Sequence, residues 1–108
     1  MDIKTYILMG KSSEELKTEI MFFIACARSS NEDLIKFDVK RLFDYEREER
    51  RQNAIIKQLK ALKRQGTIQL FAGSDDFNTP TTEIEYLSNK YPSIDKISGE
   101  KSFFIIKL

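Results

Sequence analysis

The chain has 108 residues, of which 41% are hydrophobic and 32% charged, and its 18 basic and 17 acidic side chains leave a net charge of +1. This length suits one hydrophobic core, so we expect residues 1–108 to form a single compact domain without a metal or disulfide staple. The absence of histidine excludes Ser-His-Asp and Cys-His catalytic sites, and the presence of only one cysteine also excludes an ordinary zinc site.

The first thirty residues predict a strand followed by a helix. Tyr6-Ile7-Leu8-Met9 is continuously apolar, which is typical of a strand that is covered on both faces and lies centrally in a sheet. Ser12 and Glu15 have the spacing of a capping box at a helix N-terminus. The helix that follows is expected to be deeply packed, because its apolar stripe of Leu16, Ile20, Phe23 and Ala27 is widened by Met21, Phe22 and Ile24.

Gly10-Lys11-Ser12 lies between the predicted strand and helix, which is where a phosphate-binding P-loop ends. That motif needs another glycine five residues earlier, and Thr5 stands there, inside the strand. Without the intervening loop there are no backbone N–H groups to surround a phosphate. We therefore interpret the match as coincidental.

Residues 31–46 fit two structures, and the choice between them decides the fold. Apolar residues alternate over 34–39 as they would on one face of a strand, yet the apolar spacing of the whole segment also fits a helix capped by Asn31. The valine and phenylalanine content and the polar residues that come before favour the strand, with a basic helix beginning near Phe43 or Asp44.

The clearest element is an amphipathic helix that ends before Gly66. Its apolar face is formed by Ile55, Ile56, Leu59 and Leu62. We expect Leu59 and Leu62 to be buried, whereas Lys60 and Lys63 are expected to be exposed. Gly66 follows a last turn rich in Lys and Arg, as expected where a left-handed C′ residue ends a helix and cations face its dipole.

Three further elements complete the predicted domain. Residues 67–72 are largely β-branched or apolar and predict a strand. Thr79 and Pro80 are typical of the N-cap and first position of a helix, which ends before Pro92. Phe103-Phe104-Ile105-Ile106 predicts a last strand covered on both faces, and we expect it to neighbour the first strand in the sheet.

The resulting order is β-α-β-α-β-α-β, in which helices provide the crossovers between parallel strands. We therefore predict an α/β fold, a single compact domain with a four-stranded, largely parallel sheet. The alternative takes 31–45 as a helix and gives an α+β fold. In that case Leu59 to Ile68, LKALKRQGTI, resembles the helix-to-wing junction of winged-helix proteins and would imply a winged-helix-like core, although the helix-bearing segment 74–97 is unlike a simple wing.

Basic residues are concentrated in one part of the chain. Residues 40–64 carry nine of the 18 basic side chains and four of the 17 acidic ones, a local net charge of +5. Such a concentration can form a surface for phosphates or acidic partners, and a solvated helix face with local ion pairs produces the same pattern. The candidate nucleic-acid-binding residues are Arg50, Arg51, Lys57, Lys60, Lys63 and Arg64.

Asp38-Val39-Lys40 has an acid-x-lysine form and resembles the motif of the PD-(D/E)xK nucleases. The resemblance would imply that acidic groups hold Mg²⁺ beside a lysine near the scissile phosphate. The chain departs from that family because no Pro-Asp pair lies on a preceding strand, and Asp33 is too close in sequence to be offered across a hairpin.

Three functional classes follow from these patterns. We favour a nucleic-acid-binding or regulatory domain that contacts mainly phosphates, since Tyr45 is the only aromatic residue near the basic stripe for base stacking. A protein-interaction module or homodimer is the alternative, and a divalent-metal nuclease is the third class. We predict no catalytic residue, cofactor, metal site or membrane partner. The N-terminal residues do not resemble a secretory signal, so we expect a cytoplasmic location.

Overall fold

A computed structural model of the protein describes residues 3–39, 49–66, 69–73, 83–94 and 101–108, with the side chains of residues 49–51 and 69–70 outside that description. The strands are β1 (Lys4–Ile7), β2 (Leu34–Asp38), β3 (Gln69–Gly73) and β4 (Phe103–Lys107). The described helices are α1 (Ser13–Ser29), α2 (Glu49–Arg64) and α3 (Ile84–Lys90). These elements form a compact α/β domain, as predicted, although the complete order of elements also involves segments 40–48 and 74–82, which lie outside the described residues.

The four described strands form a mixed sheet with the order β1-β2-β4-β3. β1 and β2 are parallel, whereas β4 is antiparallel to both of its neighbours, β2 and β3. Three strands therefore run in one direction, and β4 is inserted between two of them in the opposite direction. This insertion corrects the prediction of a largely parallel sheet. The apolar pattern of β4 could not reveal it, because burial on both faces is the same for either direction of pairing.

β1 lies at an edge of the four described strands, and not centrally as we predicted. Ile7 is 39% exposed and Met9 is 61% exposed. β2 separates β1 from β4, so the first and last strands are not neighbours either. Only one side of the apolar run is covered. Leu8 is fully buried there, and the Tyr6 ring stacks on that of Phe23 with centroids 5.0 Å apart.

Helices pack on both faces of the sheet. α1 and α2 contact each other on one face, over a core that includes Phe104 and Ile106. α3 packs on the opposite face, where Leu87 contacts Phe103 and Ile105. The four apolar side chains of β4 are each at most 2% exposed, which confirms the prediction of a strand covered on both faces. Among the described helices, none is both long and apolar enough to cross a membrane.

The turn before α1 is held by carboxylates. Ser12 Oγ accepts a hydrogen bond from the Glu15 N–H at 3.1 Å, which confirms the predicted N-cap. Glu15 Oε2 accepts from the Lys11 N–H at 2.7 Å. Glu19 Oε2 accepts from the Met9 N–H at 3.0 Å. Acidic side chains thus occupy the backbone donors that a P-loop would offer to phosphate, which supports the interpretation of that match as coincidental.

The polar residues after α1 form its C-terminal cap. Asn31 has a φ of 56°, and its N–H donates to the Arg28 carbonyl while the Glu32 N–H donates to the Ala27 carbonyl. These two bonds are those of a Schellman motif. Asn31 therefore ends one helix and does not begin another. Because β2 follows directly, the strand interpretation is confirmed and the helical alternative, with its winged-helix-like core, is wrong.

Replacing Asn31 by Ala is expected to lower the free energy of unfolding by about 1 kcal/mol, because a left-handed conformation is unfavourable for a side chain without a local polar group. Asn31→Gly is the matched control and should retain the full stability, since glycine adopts positive φ readily. Urea denaturation of both variants measures the difference. Equal stabilities for the two would show that the cap does not require this conformation.

Two side-chain contacts join the segment before β2 to neighbouring strands. Tyr6 Oη donates to Glu32 Oε2 at 3.0 Å, and burial together with this carboxylate raises the pKa of Tyr6 above its ordinary value. Lys107 Nζ lies 2.9 Å from Asp33 Oδ2, and this hydrogen bond lowers the pKa of Asp33. Since the Asp33 side chain is 80% exposed, solvent screens the ion pair and its contribution to stability is small.

α2 buries the face that its spacing predicted. Leu59 is fully buried and Leu62 is 7% exposed. The helix ends as expected, since Gly66 has a φ of 73° and its N–H donates to the Lys63 carbonyl at 3.0 Å. The predicted beginning of this helix near residues 43–44 lies outside the described residues.

α3 begins later than predicted. Glu83 is its N-cap and has an extended conformation with a ψ of 120°, so the helix that starts at Ile84 cannot continue back to Pro80. Residues 79–82 themselves lie outside the described part of the chain. The helix ends before Pro92, as predicted. Of the strand predicted over 67–72, the structure describes the part from Gln69 onward, within β3.

Candidate functional site

Four of the six candidate basic residues line one cleft on α2. The cleft has a volume of about 640 Å³, and its described lining consists of Asn53, Ile56, Lys57, Lys60, Lys63 and Arg64. Arg50 and Arg51 belong to the beginning of α2, and their side chains lie outside the described residues. The structure therefore brings together the C-terminal part of the predicted basic stripe.

Helical periodicity explains why these side chains converge. The polar lining forms a stripe with intervals of four, three and four residues, made by Asn53, Lys57, Lys60 and Arg64. Such intervals place residues on one side of a helix. A different flank of α2 contacts α1, since Gln58 Nε2 donates a hydrogen bond to Met21 Sδ at 3.2 Å. The cleft thus lies on the flank of α2 that faces away from α1.

Two lysines of the cleft are less exposed than predicted. Lys57 and Arg64 are exposed, whereas Lys60 and Lys63 are half-buried. Lys63 Nζ also donates to Ser93 Oγ at 3.2 Å, which joins α2 to the segment that follows α3. Both lysines lie at the border of the apolar face, where a long side chain packs its methylene groups while its ammonium reaches polar surroundings. Periodicity alone did not distinguish this border from the solvated face.

The described lining of the cleft can bind anions. Each lysine offers three N–H donors, and Arg64 adds a planar guanidinium suited to phosphate or carboxylate oxygens. The exposed Asn53 provides an amide that can donate or accept. Ile56 packs against the main core and gives one wall an apolar character. No acidic side chain is among these lining residues, so their charges add up to a positive potential.

The acid-x-lysine motif lies elsewhere. Asp38 ends β2 and is paired with Ile7 and Phe103 in the sheet, while Lys40 lies outside the described residues. In the part of the chain that the structure describes, no group of three or more Cys, Asp or Glu residues is arranged to hold a metal ion. The nuclease hypothesis therefore gains no support from the described geometry.

No family model matches this chain, and no curated protein or solved structure shows significant similarity to it. The cleft gathers several cations on one helix, and such an arrangement can attract a ligand with several negative charges.

Three residues near the cleft were missed by the sequence reasoning. The position of Asn53 could have been predicted from helical spacing, because it lies one helical turn before Lys57 on the same stripe. Ile56 was assigned to the apolar face, and it lies where that face meets the cleft. Ser93 had no signal, since the fold brings it to Lys63 across 30 residues of sequence.

Proposed function

We propose that the protein binds nucleic acid through backbone phosphates, using the cleft on α2. The observation that carries the proposal is that Lys57, Lys60 and Arg64, with Lys63 beside them, line a single cleft of about 640 Å³. A helix face that serves only solubility needs dispersed charges and no shared concave surface. All of the charged side chains in the described lining are positive, and such a local concentration of cations can attract an anionic partner.

The length of the stripe supports a polymer with repeated charges. At a rise of 1.5 Å per residue, Lys57 and Arg64 are separated by about 10.5 Å along the helix axis. One strand of B-form DNA carries a phosphate about every 3.4 Å along its axis, so this distance corresponds to about three phosphate-to-phosphate steps. Asn53 lies about one further turn along the same line, where it can donate to an additional phosphate.

The composition of the cleft also supports contacts to the backbone over reading of bases. No aromatic side chain is among the described lining residues, so stacking of bases adds little there. Phosphate contacts carry no sequence information directly. Binding is therefore expected to depend weakly on sequence and strongly on salt.

The triple variant Lys57→Gln, Lys60→Gln and Arg64→Gln is expected to lose most of this salt dependence. If about four phosphates are neutralised, the logarithm of the association constant should fall with the logarithm of salt concentration at a slope near −4 for duplex DNA or near −3 for a single strand. Removal of three cations should reduce the slope to about −1. Fluorescence anisotropy with labelled duplex DNA, single-stranded DNA and single-stranded RNA measures these slopes.

A control variant with the same loss of charge distinguishes an effect of the cleft residues from an effect of the protein's net charge. Lys4, Lys17 and Lys90 are exposed and lie on other elements, so replacing these three by Gln should leave the slope unchanged. Circular dichroism verifies that both triple variants are folded. The proposal would be refuted if the folded wild-type protein bound none of the three nucleic acids at low salt. It would also be refuted if the control variant reduced the salt slope as much as the cleft variant does. Either result would favour a protein partner.

A further inference from the structure

The middle of the outward face of α1 carries exposed apolar side chains, which corrects the prediction that Met21 and Phe22 extend the packed stripe of this helix. Phe22 is 62% exposed and Met21 is 42% exposed, and the exposed Ala25 lies one turn further along the same side. The opposite side of this helix is fully occupied by the core, through residues such as Ile20. A helix that is apolar on both sides is typical of one that is covered on both sides, so this patch has the character of an interface.

The patch is the middle of a regular seam. At alternating intervals of four and three residues, α1 carries Glu14, Thr18, Met21, Ala25 and Arg28. This spacing keeps side chains in line along one side of a helix, as in the contact seam of a coiled coil. The seam is uncharged in the middle and ends in an acid and a base. Each of these charged residues lies seven positions from Met21.

We propose that this face of α1 binds the same face of a second copy of the chain, with the two helices antiparallel about a two-fold axis near Met21. In that arrangement Glu14 of each copy lies opposite Arg28 of the other copy, at both ends of the seam. A parallel arrangement would place like charges together, so the charge pattern selects the antiparallel one. Thr18 and Ala25 are small enough to let the helices approach, while Phe22 loses its exposed surface to the neighbouring helix.

The proposed interface leaves the cleft accessible. The seam borders α2 on one side, where Met21 Sδ accepts a hydrogen bond from Gln58 Nε2, and the cleft lies on the flank of α2 that faces away from α1. The dimer therefore does not rest on nucleic-acid binding, and either proposal can fail alone. A helix of 17 residues is about 25 Å long, so one helix pair buries less than the roughly 1,600 Å² of a standard interface. We expect a dissociation constant in the micromolar range, about 1–100 µM.

Sedimentation equilibrium of the full chain at about 1–300 µM tests the dimer around that range. The expected mass rises with concentration from 12.6 kDa towards twice that value. Glu14→Arg and Arg28→Glu should each weaken association by about tenfold or more, since each creates a like-charge contact at both ends of the seam. The exchange variant, with both substitutions, should recover most of the affinity because the opposite charges meet again.

The exchange variant is diagnostic because it cannot recover affinity by stabilising α1. Each substitution places a charge unfavourably for the helix dipole, so the two together weaken the helix further while they restore the intermolecular pairs. Glu85→Arg reverses a matched exposed acid in the first turn of α3 and should leave the dissociation constant unchanged. Ala25→Arg, which places a long charged side chain in the middle of the seam, should abolish association.

Two results would overturn the proposal. One is a monomeric mass at the highest concentration for folded wild-type protein. The other is a dimer whose dissociation constant is unchanged by both single charge reversals or is not recovered by the exchange variant. Circular dichroism of every variant verifies that lost association does not result from unfolding.

Discussion

Leu59→Ala is expected to lower the free energy of unfolding by about 2–5 kcal/mol. Leu59 is fully buried in the core between α2 and the sheet, so truncation removes apolar contacts and leaves a cavity that its neighbours can fill only in part. The loss for Leu62→Ala should lie towards the lower end of the same range, because Leu62 is 7% exposed. Urea denaturation monitored by circular dichroism measures both values.

Leu59→Met serves as the control, since a substitution that nearly conserves volume should cost less than about 1.5 kcal/mol. The comparison separates loss of packing from any general sensitivity of the helix. A loss below about half a kilocalorie per mole for both alanine variants would show that α2 does not belong to the core. In that case the cleft would lose the rigid support on which the proposed function depends.

Gly73→Ala is expected to destabilise the protein by about 1–3 kcal/mol through overpacking. A Cβ atom on Gly73 would lie 2.9 Å from Tyr91 Cδ1 and closer still to the ring of Phe103. These two rings form an edge-to-face pair with centroids 5.2 Å apart, so neither can move without disturbing the other. Gly73 also pairs with Phe103 in the β3–β4 ladder, which prevents the backbone from moving away.

The double variant Gly73→Ala with Phe103→Leu identifies the cause. If the added methyl group conflicts with the Phe103 ring, the combined loss should be smaller than the sum of the two single losses, because the smaller leucine leaves room. Strict additivity would assign the loss to the Tyr91 ring or to the backbone instead. An increase in stability for Gly73→Ala would contradict the close contact. It would mean that the methyl group meets no obstacle and that the substitution acts only by reducing the entropy of the unfolded chain.

The salt dependence of binding differs between the proposed phosphate-binding cleft and the proposed α1 seam. The proposed binding at the cleft neutralises phosphates, so it should weaken steeply with salt. Association through the seam buries apolar surface between two charged pairs, so it should respond much less to salt. Measurement of both equilibria across one salt series therefore distinguishes the two faces, even where a single variant affects both.

Local elements were accessible from the sequence because the forces that define them act over a few residues. The buried face of α2 and its left-handed end at Gly66 follow from side-chain spacing and capping, and both were predicted. The basic stripe was found for the same reason. The stripe also contained the position of Asn53, which a stricter use of helical intervals would have found.

The arrangement of those elements was decided only by tertiary structure. An apolar run reports that a strand is buried, but it does not report which strand lies beside it or in which direction. For this reason β1 was placed centrally although it lies at an edge, and the antiparallel insertion of β4 was missed. The contact of Lys63 with Ser93 likewise depends on packing of distant segments. The sequence by itself determined the N-cap of α1, the buried face of α2, the last strand and the basic stripe through short-range periodicity, whereas strand order and the cleft depend on contacts between residues far apart in the chain.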